Sequence, residues 1–185
     1  MYGLVNKAIE QMVCRTHGVP TWERIKATAG VDIAGFISNE SYPDDVTYSL
    51  VAAASQTLDA PAEEILKAFG EFWVLHTALE SYGPMMRATG TNLRDFLLRL
   101  PHLHTRVELI YPNLQPPQFA CHEVGETELD LHYWTTRPPG LEPFVEGLLQ
   151  GLGKMFDTPV NVELRRQRDE QNEYSVFHVS WDEAA

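Results

Sequence analysis

The side-chain period of this chain changes at Pro116-Pro117, from helical to two, and that change decides which fold classes are open to it. Before it, apolar residues recur three and four apart, as in helices that bury one side. Leu4, Val5, Ala8, Ile9, Met12 and Val13 make such a stripe over residues 2–17, closed by Gly18 and Pro20. A second helix is expected from Thr21 to near Gly30, with Trp22 and Ile25 inward, and a third from Asp44 or Asp45 through TYSLVAAASQTL. Residues 31–45 read as turn and loop with room for a short helix. Asp59-Ala60-Pro61 opens a longer helix whose apolar breadth, Ile65 to Leu79, implies burial on more than one side. Gly83-Pro84 should break it. Thr91 or Asn92 caps the next helix, and Pro101 predicts a kink or break, with His104 in the first turns of the segment behind it.

After Pro116-Pro117, QFACHEV and TELDLHYW alternate and read as a hairpin around Gly125. Residues 140–156 return to helix, and 159–164 and 174–179 give two more strands. The class is therefore α+β, an antiparallel sheet packed on helices. The 185 residues suffice for one domain or two small lobes.

A net charge of -12 argues against nucleic acid or an anionic membrane as partner and leaves room for a protein with a basic patch. No apolar run reaches membrane-spanning length and no signal-peptide pattern opens the chain, so a cytoplasmic protein without membrane insertion is expected. Cys14 and Cys121 form no CxxC, so zinc and covalent haem attachment are not indicated; two free thiols suit a reducing compartment.

The chemistry concentrates between Leu97 and Arg137. His104 falls on the apolar side of the helix expected to begin near Pro101. Tyr133-x-Thr135-x-Arg137 closes a strand, where a period of two would point all three side chains one way. Two hydroxyls and a guanidinium form a donor cluster for carboxylates. One histidine and one carboxylate clamp are what a haem requires: a nitrogen for iron, charge-assisted hydrogen bonds for the propionates. Taken alone, His104 also suits a satisfied core histidine, and the strand end a solvated edge.

These residues resemble the heme-nitric oxide/oxygen binding (H-NOX) family, which includes the haem domain of the soluble guanylate cyclase beta subunit and stand-alone bacterial sensors. The resemblance runs from MYGLVNKAIE through DDVTYSLVAAAS, PAEEILKAFGEFWV, YPNLQPP and GLLQGLGKMF. It implies a single domain over residues 1–185, with a helical distal lobe (1–60), a proximal lobe carrying a four-stranded antiparallel sheet (61–185), and non-covalent haem b between them. His104 would be the iron ligand, selected over His102 by the downstream YPNLQPP; His76 would be a core or surface residue. Tyr133, Thr135 and Arg137 would hold the propionates, with Thr135 where relatives carry serine. Leu4, Val5, Trp73, Thr77, Phe144 and Leu148 would line the distal side; Leu100, Tyr111 and Pro117 would touch the porphyrin. Pro101 stands where relatives carry aspartate.

The resemblance also implies a sensor rather than an enzyme. Oxygen-binding members use a distal tyrosine on the helix after the signature, whereas no tyrosine occurs in residues 138–156. NO and CO binding with O2 excluded is therefore expected. NO would weaken the iron–histidine bond, shift the lobes and signal to a separate effector such as a histidine kinase, diguanylate cyclase, guanylate cyclase or chemotaxis receptor. The alternatives are an O2-binding haem sensor and a haem-free protein-interaction module. A peroxidase-like activity would need a polar distal acid–base pair that the apolar pocket does not offer.

Overall fold

A computed structural model describes residues 1–111, 114–122 and 124–182. The chain forms two compact units, residues 1–69 and 70–185.

In the first unit, α1 (Gly3–His17), α2 (Val19–Ala29) and α3 (Asp44–Leu58) pack together. The α1 stripe buries Ala8, Ile9, Met12 and Val13, while Trp22 and Ile25 of α2 and Leu50 and Ala54 of α3 fill the remainder of the core. The α2 helix starts at Val19, ahead of the expected Thr21, because Pro20 occupies its first turn and needs no N–H there. Residues 31–43 hold no helix. Tyr2 bridges Ser41 instead, and Gly3 passes so close that a Cβ would lie 2.1 Å from the Ile37 carbonyl oxygen. Thr47 donates to Asn6 Oδ1 at 2.6 Å, pairing two buried oxygens.

The division between units falls inside α4 (Ala62–Phe72) rather than at the Asp59–Pro61 turn. Gly70 explains the position: a Cβ there would lie 2.2 Å from the Phe144 carbonyl oxygen, so from this residue the helix belongs to the packing of the second unit. The helix then widens into a π-helical segment, Trp73–Ala78, and continues as α5 (Leu79–Thr89). Gly83-Pro84 does not end it. The chain kinks at Tyr82 (φ -132°, ψ 18°) and resumes, since proline tolerates the first turn after a kink.

The helix α6 (Leu93–Ile110) is capped by Asn92, whose side chain accepts from the Asp95 N–H at 2.8 Å. The break predicted at Pro101 is absent: Pro101 lies inside α6, and His104 lies mid-helix rather than in a first turn. Proline leaves the carbonyl four residues back without its donor. That carbonyl belongs to Leu97, and the Cys121 thiol donates to it at 3.3 Å.

The sheet order is β1-β2-β4-β3, antiparallel throughout, from β1 (Gln118–His122), β2 (Glu128–Trp134), β3 (Val160–Arg166) and β4 (Ser175–Trp181). The hairpin turns at Gly125 as expected, its N–H donating to the Glu128 carbonyl; Glu123 lies outside the described residues. Phe119, Leu129, Leu131, Tyr133, Phe177 and Val179 face inward. They share one core with Phe96, Leu97, Leu100 and Leu103 of α6 and with Val145, Leu149 and Leu152 of α7 (Glu142–Met155). The opposite face of the sheet carries Asp130, His132 and His178, with His122 at the edge strand.

Candidate functional site

His104 occupies the inward side of α6, one turn after the buried Leu100. Its Nδ1 lies 3.0 Å from the Pro117 carbonyl oxygen. A carbonyl can only accept, so Nδ1 carries the proton and Nε2 keeps its lone pair. Burial pushes the His104 pKa down, against the opposing pull of the Pro117 carbonyl and Glu108, so the ring is neutral near pH 7. A neutral imidazole oriented by a backbone carbonyl through Nδ1 is the form that binds a metal through Nε2.

The carboxylate clamp is partly as the sequence predicts and partly not. Tyr133 is the inward residue of β2, only 3% exposed, and burial pushes its phenol up to about 12, so it stays a donor. The strand closes at Trp134, however, so period-two alternation does not carry Thr135 and Arg137. They sit in a turn: the Arg137 N–H donates to Thr135 Oγ1 at 3.2 Å, and the Tyr133 and Thr135 side chains are hydrogen-bonded. The turn forms where the ladder with β1 ends at Trp134, and a threonine hydroxyl can accept from the N–H two residues on. Arg137 Nη1 donates to the Gln115 carbonyl at 2.9 Å.

The two halves of the site thus meet on one stretch of main chain. Gln115 holds Arg137 and Pro117 holds His104, with Pro116 between. Phe119, two residues on, stacks its ring between His104 and Tyr133, at 5.4 Å from each. Pro112 and Asn113 of the Tyr111–Pro117 run lie outside the described residues. The Tyr111 hydroxyl bonds that of Tyr82.

Of the expected distal residues, Trp73 and Phe144 meet edge-to-face at 6.5 Å, where the π-helical segment packs on α7. Leu148 is half-buried on α7. Thr77, on the same π-helical segment as Trp73, is 4% exposed and its hydroxyl has no hydrogen-bond partner among the described residues. A π-turn within a helix commonly marks a functional site. Leu4 and Val5 are half-buried on α1, in the other unit. Phe119 and Arg168 were not foreseen from the sequence. Phe119 could have been found as the first inward position of β1 after the prolines. Arg168 carries no local signal; its guanidinium reaches the Thr135 and Arg137 carbonyls from another hairpin.

This donor set fits a haem. His104 could offer a nitrogen to iron, Tyr133, Thr135 and Arg137 could offer propionate donors, and the Thr77 hydroxyl is a buried polar atom without a protein partner among the described residues. Among the described residues no three His, Cys, Asp or Glu side chains gather as a metal site. An open cleft of about 760 Å³ is lined by Pro139, Gln167, Arg168, Asp169, Glu170 and Glu173.

Comparison with known proteins agrees with this geometry. The family model described as "Haem-NO-binding" matches residues 2–164. Two Caenorhabditis elegans proteins, soluble guanylate cyclases gcy-32 and gcy-35, are 32% and 30% identical over 91% and 100% of this chain. The chain spans about a quarter of their length, 25% and 28%. Among solved structures, an H-NOX protein from S. oneidensis in the Fe(II)NO state superposes with a TM-score of 0.87 at 20% identity, covering 98% of this chain and 99% of that one. Unliganded Fe(II) H-NOX from K. algicida gives 0.85 at 20% identity, covering 100% and 98%. Those two likenesses establish the H-NOX fold. The match over residues 2–164 and the cyclase identities establish more: this chain belongs to the haem-NO-binding, or H-NOX, family of gas-sensing haem domains.

Proposed function

We propose that this chain is a haem-based sensor, not a catalyst, that binds NO and CO, excludes O2 and signals to a separate effector from the reducing cytoplasm. The observation that carries the reading is the shared anchorage of His104 and Arg137 on the Gln115–Pro117 main chain. His104 would ligate the iron of a haem b through Nε2, and Tyr133, Thr135 and Arg137 would take its propionates. When bound, the haem supplies reversible coordination of a diatomic gas. Leu100, Tyr111 and Pro117 would touch the ring; Leu4, Val5, Trp73, Thr77, Phe144 and Leu148 would line the side on which the gas binds.

The protein's part is to convert load on one nitrogen into main-chain movement. The Pro117 carbonyl, at the entry to β1, orients His104. A change in the pull on Nε2 therefore bears on α6 and on the strand that follows Pro117. The curated relatives are guanylate cyclases by name, which makes a cyclase one effector to test beside histidine kinases, diguanylate cyclases and chemotaxis receptors.

The absence of tyrosine from residues 138–156 supports exclusion of O2. The orphaned Thr77 hydroxyl favours the second reading, an O2-binding sensor, because it is a buried donor on the side where the gas would bind. An absorption spectrum of reduced, haem-loaded protein, taken under argon, then with NO, with CO and in air, decides between them. A Soret band that moves with NO and CO and yields no stable oxygenated form is expected. A stable oxygenated form that disappears in Thr77→Val would establish the O2 reading. No haem band after supplementation would leave a haem-free interaction module.

A further inference from the structure

Beyond the end of β2 the main chain loses its ladder, yet the residues that would grip a propionate lie there. Something other than the sheet must set their conformation. Arg168 is placed to do so. One of its Nη atoms donates to the Thr135 carbonyl and the other to the Arg137 carbonyl. Bridging two carbonyls two residues apart with one planar fork curls the segment between them, and a curled segment lets the Arg137 side chain reach Gln115.

Arg168 is itself held from behind. Its N–H donates to Ser175 Oγ at 2.9 Å, and Ser175 Oγ donates to Glu142 Oε1 at 2.9 Å. The other Glu142 oxygen accepts from the Gly140 N–H at 2.9 Å. Ser175 and Glu142 are 0% and 3% exposed, so this is an interior network. The turn that follows is locked separately: Asp169 Oδ1 accepts from the N–H groups of Gln171 and Asn172, each at 2.8 Å. The segment from Thr135 to Gly140 is therefore fixed at one end by Arg168 and at the other by Glu142.

The geometry assigns Arg168 as the positioning residue of the carboxylate clamp: it orders Thr135–Arg137 for propionate binding without touching the propionates. This rests on the haem reading above. Its two Nη atoms each donate to a carbonyl of the segment, so it acts on the shape of that segment, while its Nε is buried without a partner among the described residues. A lysine keeps the charge but cannot span both carbonyls.

Two measurements on the full chain test it, in wild type, Arg168→Lys, Arg168→Met and Arg137→Met. The first is amide hydrogen exchange at Arg137, which needs no haem. The second is the rate of haem transfer to an excess of a haem-scavenging globin. Both Arg168 variants should exchange the Arg137 amide faster than wild type and release haem about tenfold faster, the low end of what loss of an outer supporting contact costs a bound group. Arg137→Met should release haem faster with little change in exchange at its own amide. Wild-type behaviour of Arg168→Lys in both measurements would overturn the assignment, because charge alone would then suffice. Unchanged exchange in Arg168→Met would overturn it too. Failure of wild type to take up haem would overturn the haem reading, while faster exchange in both Arg168 variants would still support Arg168 as the residue that sets the segment. Unfolding of Arg168→Met leaves Arg168→Lys to decide.

Discussion

His132 stands in a row of rings on the outer face of the sheet, with His122 at 4.2 Å and Tyr174 at 4.7 Å. Burial lowers its pKa from the ordinary 6.5, helped by His122 and Arg166 and opposed by Asp130. The unfolded chain then binds more protons than the folded one just below pH 6.5. The stability contributed by neutral His132 is complete above that pH and is lost as the pH falls through the lowered folded value. His132→Phe keeps a ring in the row and removes the titration. Its urea midpoint should therefore fall less than that of wild type between pH 7 and pH 5; equal falls would place the acid sensitivity elsewhere. Legibility at this scale follows the reach of the interaction. The inward placement of His104 and Tyr133 is readable from one helix face and one strand face, while the roles expected of them come from the family resemblance. Arg168 could not be read this way, because its role depends on a hairpin that meets Thr135 and Arg137 only in three dimensions.

Proline punctuation was the weakest guide among the elements. Pro20 and Pro61 behave as helix starters, while Pro84 and Pro101 sit within helices that the sequence alone would have cut. Pro101 is tolerated because the carbonyl it strands, that of Leu97, is met by Cys121 from β1. Burial pushes that thiol up to about 11, so it stays protonated and can donate. Cys121→Val should cost about 1–2 kcal/mol, the penalty for an unsatisfied carbonyl. In a Pro101→Ala background the helix supplies its own N–H to Leu97, and the same Cys121→Val change should cost much less. Denaturant midpoints around this double-mutant cycle measure the coupling; additivity would mean that the thiol contact is incidental. The π-helical segment was invisible for a related reason. Nothing in WVLHTA demands a wider turn, and the segment is set where it packs against α7, with Gly151 close to Val74.

For the whole molecule, acidity is the dominant long-range feature, with 26 acidic against 14 basic residues. Self-repulsion at net charge -12 opposes the compact state and is relieved by salt. The melting temperature should rise as NaCl increases from low millimolar to roughly physiological concentration, where the Debye length is about 8 Å. A fall would mean that ion pairs such as Arg165–Asp130 and Lys154–Glu71 outweigh the net repulsion. The α+β class was readable from the period change at Pro116-Pro117 because burial on one side leaves its spacing in the sequence. The division into units was not. It depends on Gly70 approaching the α7 main chain, a contact between residues far apart in the chain.

The short stretch Gln115–Pro117 behaves as a yoke with two traces. Proline at 116 and 117 fixes two successive φ angles, which narrows the range of spacings open to the carbonyls at its ends. Whatever tugs His104 is felt by Arg137, and the reverse. On the haem reading proposed above, the two properties an engineer would want to tune apart, axial basicity and the seating of the acidic groups, would be mechanically geared. Variants selected for one will drift in the other unless the yoke itself is slackened.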